Sequence, residues 1–382
     1  MSSRLALLRI SVILGLLAGL ALSPKLWLSS RVYPFTPVWS FLKPPGAPID
    51  YIVFFAVIAL LIAAAIVPRR EFWIALFALL ALLAFQDQSR WQPWFYQYVV
   101  MLLAIALAGS KRPEAALNTC CLIIAATYIW SGLSKLNSNF MGDTFPWLVA
   151  PFIGAWPAPA QWFVHHLALV AALFECGAGA GLFFRRFRPA ALFCAIAMHV
   201  FILIAIGPLG RHFNVVVWPW NFAMIAFLLI LFLRRTEEPA PRDIIWGNAF
   251  AFQKIVLLLF GVIPALSFFN LWDQYLSSAL YSGNRDSGMV YMTDDVFNRL
   301  PDTIEDYVYE DGPNRNLLDI NIWSYGELNV PAFPETRVYR NVAKQICGYA
   351  RDGSGIELVI QGKLALVNGN RRSVYHCSGL LR

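Results

Sequence analysis

Residues 172–206, ALFECGAGAGLFFRRFRPAALFCAIAMHVFILIAI, decide how the rest of the chain is read. Two apolar runs flank a turn that carries Arg185, Arg186 and Arg188. A helix needs ~20 apolar residues to cross a bilayer, so the stretch reads as a helical hairpin with a basic turn at one membrane face. Glu175 and His199 lie within the runs, about equally far from the turn. At ~1.5 Å of rise per residue, both fall ~17 to 19 Å from that face, near mid-membrane. Ionisable groups at such depth are costly and usually mark a functional interior.

Working outward, the same ruler places other polar residues at that level. Counted back from RRTEE at 234–238, Asn221 reaches nearly the same height, with Trp218 and Trp220 just outside it. Counted from SKRPE at 110–114, Gln97 and Tyr128 come close. Five spans would then share one polar layer. The plainer reading is that Glu175 and His199 tie two helices together, and that Asn221, Gln97 and Tyr128 are satisfied structural donors.

Composition supports a membrane setting. The 382 residues are 58% hydrophobic and 14% charged, with a mean hydropathy of +0.57, far from ordinary soluble domains. Nine candidate spans centre near Leu16, Ala59, Leu79, Leu103, Ala125, Ala172, Ile196, Ile225 and Leu259. The first resembles a signal peptide, but no convincing small-residue cleavage site follows, so it is kept as a span. The 14 Trp suit interfacial belts.

The net charge of +7 does not imply nucleic acid, because the basic residues sit in short clusters between apolar runs. With connections numbered alternately, one side collects Arg4, Arg9, Arg69, Arg70, Lys111, Arg112, Arg185, Arg186, Arg188, Arg234, Arg235 and Arg242. The other collects only Lys25, Arg31, Lys43, Arg90 and Arg211. The positive-inside rule then predicts a cytoplasmic N-terminus and an external C-terminus.

After Asn270 the composition turns polar, which predicts two domains: a transmembrane bundle over 1–270 and a small extracytoplasmic α+β domain over 271–382. RVYRNVAKQICGYA has the apolar spacing of an amphipathic helix, with Val338, Val342, Ile346 and Tyr349. IELVIQGKLALV and RRSVYHC read as strands around an NGN turn. Cys347 and Cys377 lie in this domain, where a structural disulfide suits an oxidising compartment better than redox chemistry, since neither belongs to a C-x-x-C pair. No metal centre is expected: the five His show no H-x-x-x-H or H-E-x-x-H spacing.

YIWSGLSKLNSNFMGD at 128–143 places Lys135 at the outer end of the fifth span. A lysine there can simply snorkel, its stem in lipid and its ammonium among headgroups. Alternatively, desolvation favours the uncharged form of an amine, and a neutral amine can accept a proton. Nearby, His165 and His166 read as a hydrated helix start, and Asp87 with Arg90 as a local ion pair.

Residues 128–143 and 172–224, with the Lys135 pattern, the acidic Gly- and Ala-rich helix, the Arg-bearing turn and the His of the next helix, resemble the membrane portion of vitamin K-dependent γ-carboxylases. Their bacterial relatives, the horizontally transferred transmembrane (HTTM) family, and more distantly DoxX-like proteins share the likeness, which covers about 86–232. The resemblance implies that Lys135 is a general base acting on a reduced quinone, and that Glu175 and His199 line or brace its pocket. It departs at DQSRWQPW, where Arg90 or Trp91 stands in place of the carboxylases' histidine, and in the short tail that replaces a large lumenal region.

These readings give an all-α polytopic bundle of the bacterial inner membrane with a small periplasmic domain. The leading function is a membrane enzyme that uses a quinone or other lipid-soluble cofactor, with Lys135 as base and Tyr128, Gln97, Glu175, His199, Trp218 and Asn221 around the cofactor. The competing function is a non-catalytic subunit, a lipid- or quinone-binding anchor that meets a protein partner through the periplasmic domain. A transporter is the third option, with no inverted repeat to support it.

Overall fold

A computed structural model describes residues 3–235, 239–247, 250–351, 353–364 and 372–381. Each of the nine apolar runs is helical. In chain order the helices of this part are α1 (Ser3–Leu22), α2 (Ile49–Ile66), α3 (Arg70–Gln86), α4 (Pro93–Ala108), α5 (Pro113–Ser134), then a hairpin α6 (Phe145–Ile153) and α7 (Ala158–His166) additional to the nine runs, α8 (Ala168–Gly181), α9 (Arg188–Ile206), α10 (Val217–Phe232) and α11 (Ala251–Val256). Helical turns continue past α11 to Phe269. Six helical segments are long and apolar enough to cross a membrane: Ser3–Leu22, Ile49–Ile66, Pro113–Ser134, Ala158–Gly181, Arg188–Ile206 and Ala251–Phe269.

The chain forms two compact units, one of Met1–Gly19, Ile58–Phe77 and Pro93–Asn284, the other of Leu20–Val57, Ala78–Gln92 and Arg285–Arg382. In the first unit α5 is the most enclosed of the six long helices. It meets α8 through small residues. A Cβ on Gly132 would lie 2.5 Å from the backbone nitrogen of Cys176, and one on Gly179 would lie 2.8 Å from the carbonyl oxygen of Ala125. With no hydrophobic drive between helices in lipid, such close backbone contact is what holds them. Tyr98 and Trp94 of α4 fill the notches left by Gly15 and Gly19 on α1 in the same manner.

The second unit carries an antiparallel sheet of order β2-β3-β1-β4-β5, with β1 Ser287–Met292, β2 Val308–Glu310, β3 Asn316–Asp319, β4 Ile356–Gln361 and β5 Arg372–His376. Alternate residues of β1 are buried, and Val290 stands opposite both Leu318 and Leu358. Helices α12 (Ile320–Leu328) and α13 (Thr336–Ile346) cover this sheet. The amphipathic spacing read in α13 places Val338, Val342 and Ile346 in the core. Cys347 and Cys377 are joined by a disulfide. The NGN turn between the last strands lies outside the described residues.

Two segments from the apolar half of the sequence belong to this second unit, and hydrogen bonds fasten them. Glu327 accepts from the Val32 backbone N–H at 2.9 Å, Asn329 Nδ2 donates to the Leu22 carbonyl at 2.7 Å, and Arg337 Nε donates to Gln88 Oε1 at 2.6 Å. The expected Asp87–Arg90 pair is replaced by another. Asp87 pairs with Arg31 at 2.6 Å, whereas Arg90 donates to the carbonyls of Leu26, Leu83 and Trp27. Residues 87–90 form a tight turn in which Asp87 caps the Ser89 N–H. The Arg90 guanidinium therefore serves chain ends that no regular ladder satisfies. Burial pushes Arg90 down to about 10, which leaves it charged at neutral pH. Burial alone would raise the Asp87 carboxyl, but the adjacent Arg31 and Arg90 charges outweigh it and hold Asp87 below the usual carboxylate range.

Two tests follow from this packing. Gly132→Leu or Gly179→Leu should destabilise the detergent-solubilised protein by about 1–3 kcal/mol or more, while Gly177→Ala, whose added Cβ meets nothing within 4 Å, should leave the melting temperature unchanged. The ionised Asp87 contributes stability above the unfolded carboxylate value of about 4, and that contribution is lost as pH falls further, through the lower folded value. Thermal melts from pH 7 to pH 3 should show this acid loss, and Asp87→Asn should flatten it while costing about 3–5 kcal/mol at neutral pH.

Candidate functional site

The close approach of α5 and α8 sets the site. Residues three and four apart share a helix face, so Tyr128, Gly132 and Lys135 of α5 point the same way, as do Ala172, Glu175 and Gly179 of α8. Where the glycines let the backbones meet, Lys135 Nζ lies 2.7 Å from Glu175 Oε2. Lys135 also donates to Ser131 Oγ at 2.7 Å. Both charged side chains are buried, with only 11% and 9% of their surface exposed. A snorkelling lysine would instead hold its ammonium in water, so that reading gives way to a buried pair.

Lys135 was expected in an outer cluster, above the Glu175 layer. Its Cα does close the end of α5, but helical side chains lean toward the N-terminus. The stem therefore runs back one turn to Ser131 and brings the ammonium to Glu175.

Glu175 and His199 were expected as neighbours. The structure gives them different partners. His199 Nδ1 lies 2.7 Å from Asn221 Oδ1, and His199 Nε2 lies 2.6 Å from the Tyr128 hydroxyl. Asn221 Nδ2 donates to the Val217 carbonyl at 2.8 Å, which fixes the amide orientation. Oδ1 is then an acceptor, and His199 Nδ1 must carry the hydrogen. In the neutral ring Nε2 accepts from Tyr128, so a directed chain runs from Tyr128 through His199 and Asn221 to the backbone. It joins α5, α9 and α10.

Both polar groups face one cavity of about 130 Å³. That is the scale of cavity known to hold a single benzene-sized ring. The lining includes Tyr128, Ser131, Lys135, Glu175, His199 and Asn221 at its polar part, and Phe140, Phe145, Leu148, Phe201, Ile202 and Met224 among its apolar walls. Five of the seven expected site residues thus meet there. Gln97 and Trp218 do not line it. Gln97 stands behind the wall, 3.1 Å from Met224 Sδ and accepting from Trp220 Nε1 at 3.1 Å. Trp218 turns away and donates to the Phe213 carbonyl, leaving Trp220 as the lining tryptophan. Neighbouring residues on a helix point about 100° apart, so depth alone could not choose between 218 and 220.

Sequence reading missed Ser131, although its position four residues before Lys135 carried the signal. It also missed Ser278, Leu280 and Tyr281, which close the cavity from a turn-rich segment. Asn214 Nδ2 donates to the Tyr281 hydroxyl at 2.7 Å and Asn137 Nδ2 to the Ser282 carbonyl at 2.9 Å. His165 and His166, expected to start a helix, end α7 instead. Among the described residues no group of three or more His, Cys, Asp or Glu is placed to hold a metal ion.

The buried pair sets an expectation for stability. Lys135→Met leaves Glu175 without its counter-charge and should cost about 3–5 kcal/mol, while Lys135→Met with Glu175→Leu should recover much of that loss in the same thermal melt. Compared with protein-family models, curated proteins and solved structures, the chain matches none.

Proposed function

We propose that this chain is a multi-pass membrane protein that binds a lipid-soluble ring compound, a quinone or hydroquinone, in the α5–α8–α9–α10 cavity. The observation that carries the reading is the convergence of a buried ion pair and a directed hydrogen-bond chain on one ring-sized, apolar-walled space. An apolar cavity with a few convergent polar groups is the usual form of a small-molecule site. Nine spans, a cytoplasmic N-terminus and a periplasmic C-terminal domain in a bacterial inner membrane complete the reading. The skew of basic residues supports it, and the Cys347–Cys377 disulfide suits an oxidising compartment.

The likeness to the γ-carboxylase and HTTM families enters on the same footing, with Lys135 as general base. A bound hydroquinone would supply an ionisable hydroxyl. On the protein side, transfer of a proton from Lys135 Nζ to Glu175 Oε2 across 2.7 Å leaves a neutral amine at the cavity wall, able to take a proton. Tyr128, fixed by His199 and Asn221, would orient the ring oxygen. The alternative, a non-catalytic lipid- or quinone-binding anchor for a protein partner, is favoured by one observation: the polar groups already satisfy one another.

Organic extraction of the purified protein, followed by mass spectrometry, tests the binding reading. A lipid-soluble ring compound at near one per chain, depleted in Trp220→Ala, is expected. Recovery of bulk phospholipid alone, equal in both proteins, would sink it. For the catalytic part, Lys135→Met should abolish the cellular phenotype with insertion intact; retained function in both Lys135→Met and Lys135→Arg leaves the anchor.

A further inference from the structure

The cavity has room for a ring but little for the tail that makes such a molecule lipid-soluble, so the tail must leave through one of its walls. Its roof and its side differ in construction. The roof is the segment 278–283, where Ser278, Tyr281 and Gly283 take left-handed φ values of +60°, +55° and +66°. Asn137 and Asn214 bind it. A Cβ on Gly283 would lie 2.7 Å from both the Phe140 backbone nitrogen and Thr144 Oγ1, so backbone sits directly on backbone there.

The side wall at α6 is held differently. Pro151 lies inside α6 and has no N–H, so the Trp147 carbonyl one turn earlier loses its helical partner. Arg211 takes that carbonyl, with Nη2 at 2.8 Å and Nε at 3.2 Å, and its guanidinium carbon stands 5.1 Å from the centre of the Trp147 ring. Phe145 and Leu148 of this helix line the cavity, and its Phe152 is exposed. Phe152 meets the half-buried Phe201 of α9, their ring centres 5.6 Å apart. Phe201 therefore has the cavity on one side and an exposed ring on the other. Beside it Val200 and Ile204 are exposed and apolar, on a helix long and apolar enough to lie in the bilayer.

We propose that α6, clamped by Arg211 at its proline-freed carbonyl, is a lateral gate through which a bilayer-dissolved molecule reaches the cavity between Phe152 and Phe201. This rests on the reading that the cavity receives a lipid-soluble molecule. The polar groups then wait for a ring that arrives from lipid, and the tail stays in the α6–α9 seam.

Photolabelling of the full chain in liposomes tests the gate without knowledge of the ligand. Two probes are used: an alkyl diazirine dissolved in the bilayer, and a sulfonated, membrane-impermeant diazirine in the water. Mass spectrometry then reads labels on Tyr128 and Met224, which line the cavity and are buried. The alkyl probe should label both in the wild type, and several-fold more in Arg211→Ala, with unchanged labelling of the exposed Phe174 and Phe193. Should Arg211→Ala fail to fold by size-exclusion chromatography, Arg211→Lys, which keeps a single donor atom in place of two, should show a smaller increase. Labelling from water alone, from neither probe, or without response to the Arg211 change would overturn the gate. A co-purified ring compound with cavity labels only from water removes the gate and leaves the binding reading. Bilayer labelling without any co-purified compound does the reverse.

Discussion

The approach of α5 to α8 is the constraint on which the site depends. Gly132 and Gly179 bring the two backbones closer than any side chain would allow, and lipid offers no hydrophobic drive to restore the contact if it is lost. Because Lys135 and Glu175 lie on the same faces as those glycines, their 2.7 Å pairing follows from that approach. A charge pair so enclosed returns its desolvation cost only when geometry and further hydrogen bonds are good. Ser131 Oγ supplies one of those bonds. The glycines and the ion pair are therefore one structural unit: neither half would be favourable in lipid without the other.

Around this unit the other helices divide the remaining polar work. Tyr128 extends the α5 face by one turn and commits its hydroxyl to His199, which passes the chain to Asn221 and the Val217 carbonyl. Each donor has an acceptor, so the network fixes the rotation of α9 and α10 about α5. Between this chain and the ion pair lies the ring-sized space. Its walls are largely apolar where both clusters point, and a low local dielectric strengthens whatever hydrogen bonds form there.

The second unit solves a different problem. In its segments 20–57 and 78–92 helices end and the chain runs irregularly over 28–48 and near 87–92, so backbone groups there and at the helix ends need side-chain partners. Buried Arg31, Asp87 and Arg90 supply them, Glu327 and Asn329 of the C-terminal region supply others, and Arg337 holds the Gln88 side chain. Charge here does structural work, and the low-lying Asp87 carboxyl is its signature.

Local chemistry was legible from the chain alone. Each of the nine apolar runs is helical and six helical segments are long and apolar enough to cross a membrane, because length and hydrophobicity favour helix formation in lipid without reference to neighbours. The period of apolar residues identified α13, and rise per residue placed Tyr128, Glu175, His199 and Asn221 near one another in depth. Only the tertiary structure decided who pairs with whom. Rise measures height and carries no azimuth: it could not choose between Trp218 and Trp220, and by height alone His199, not Lys135, stood level with Glu175. The lean of a side chain moved Lys135 down a turn, and a left-handed segment with no sequence period brought Tyr281 over the cavity. Depth is a one-dimensional property that sequence carries, whereas a binding site is a meeting of directions, which only packing fixes.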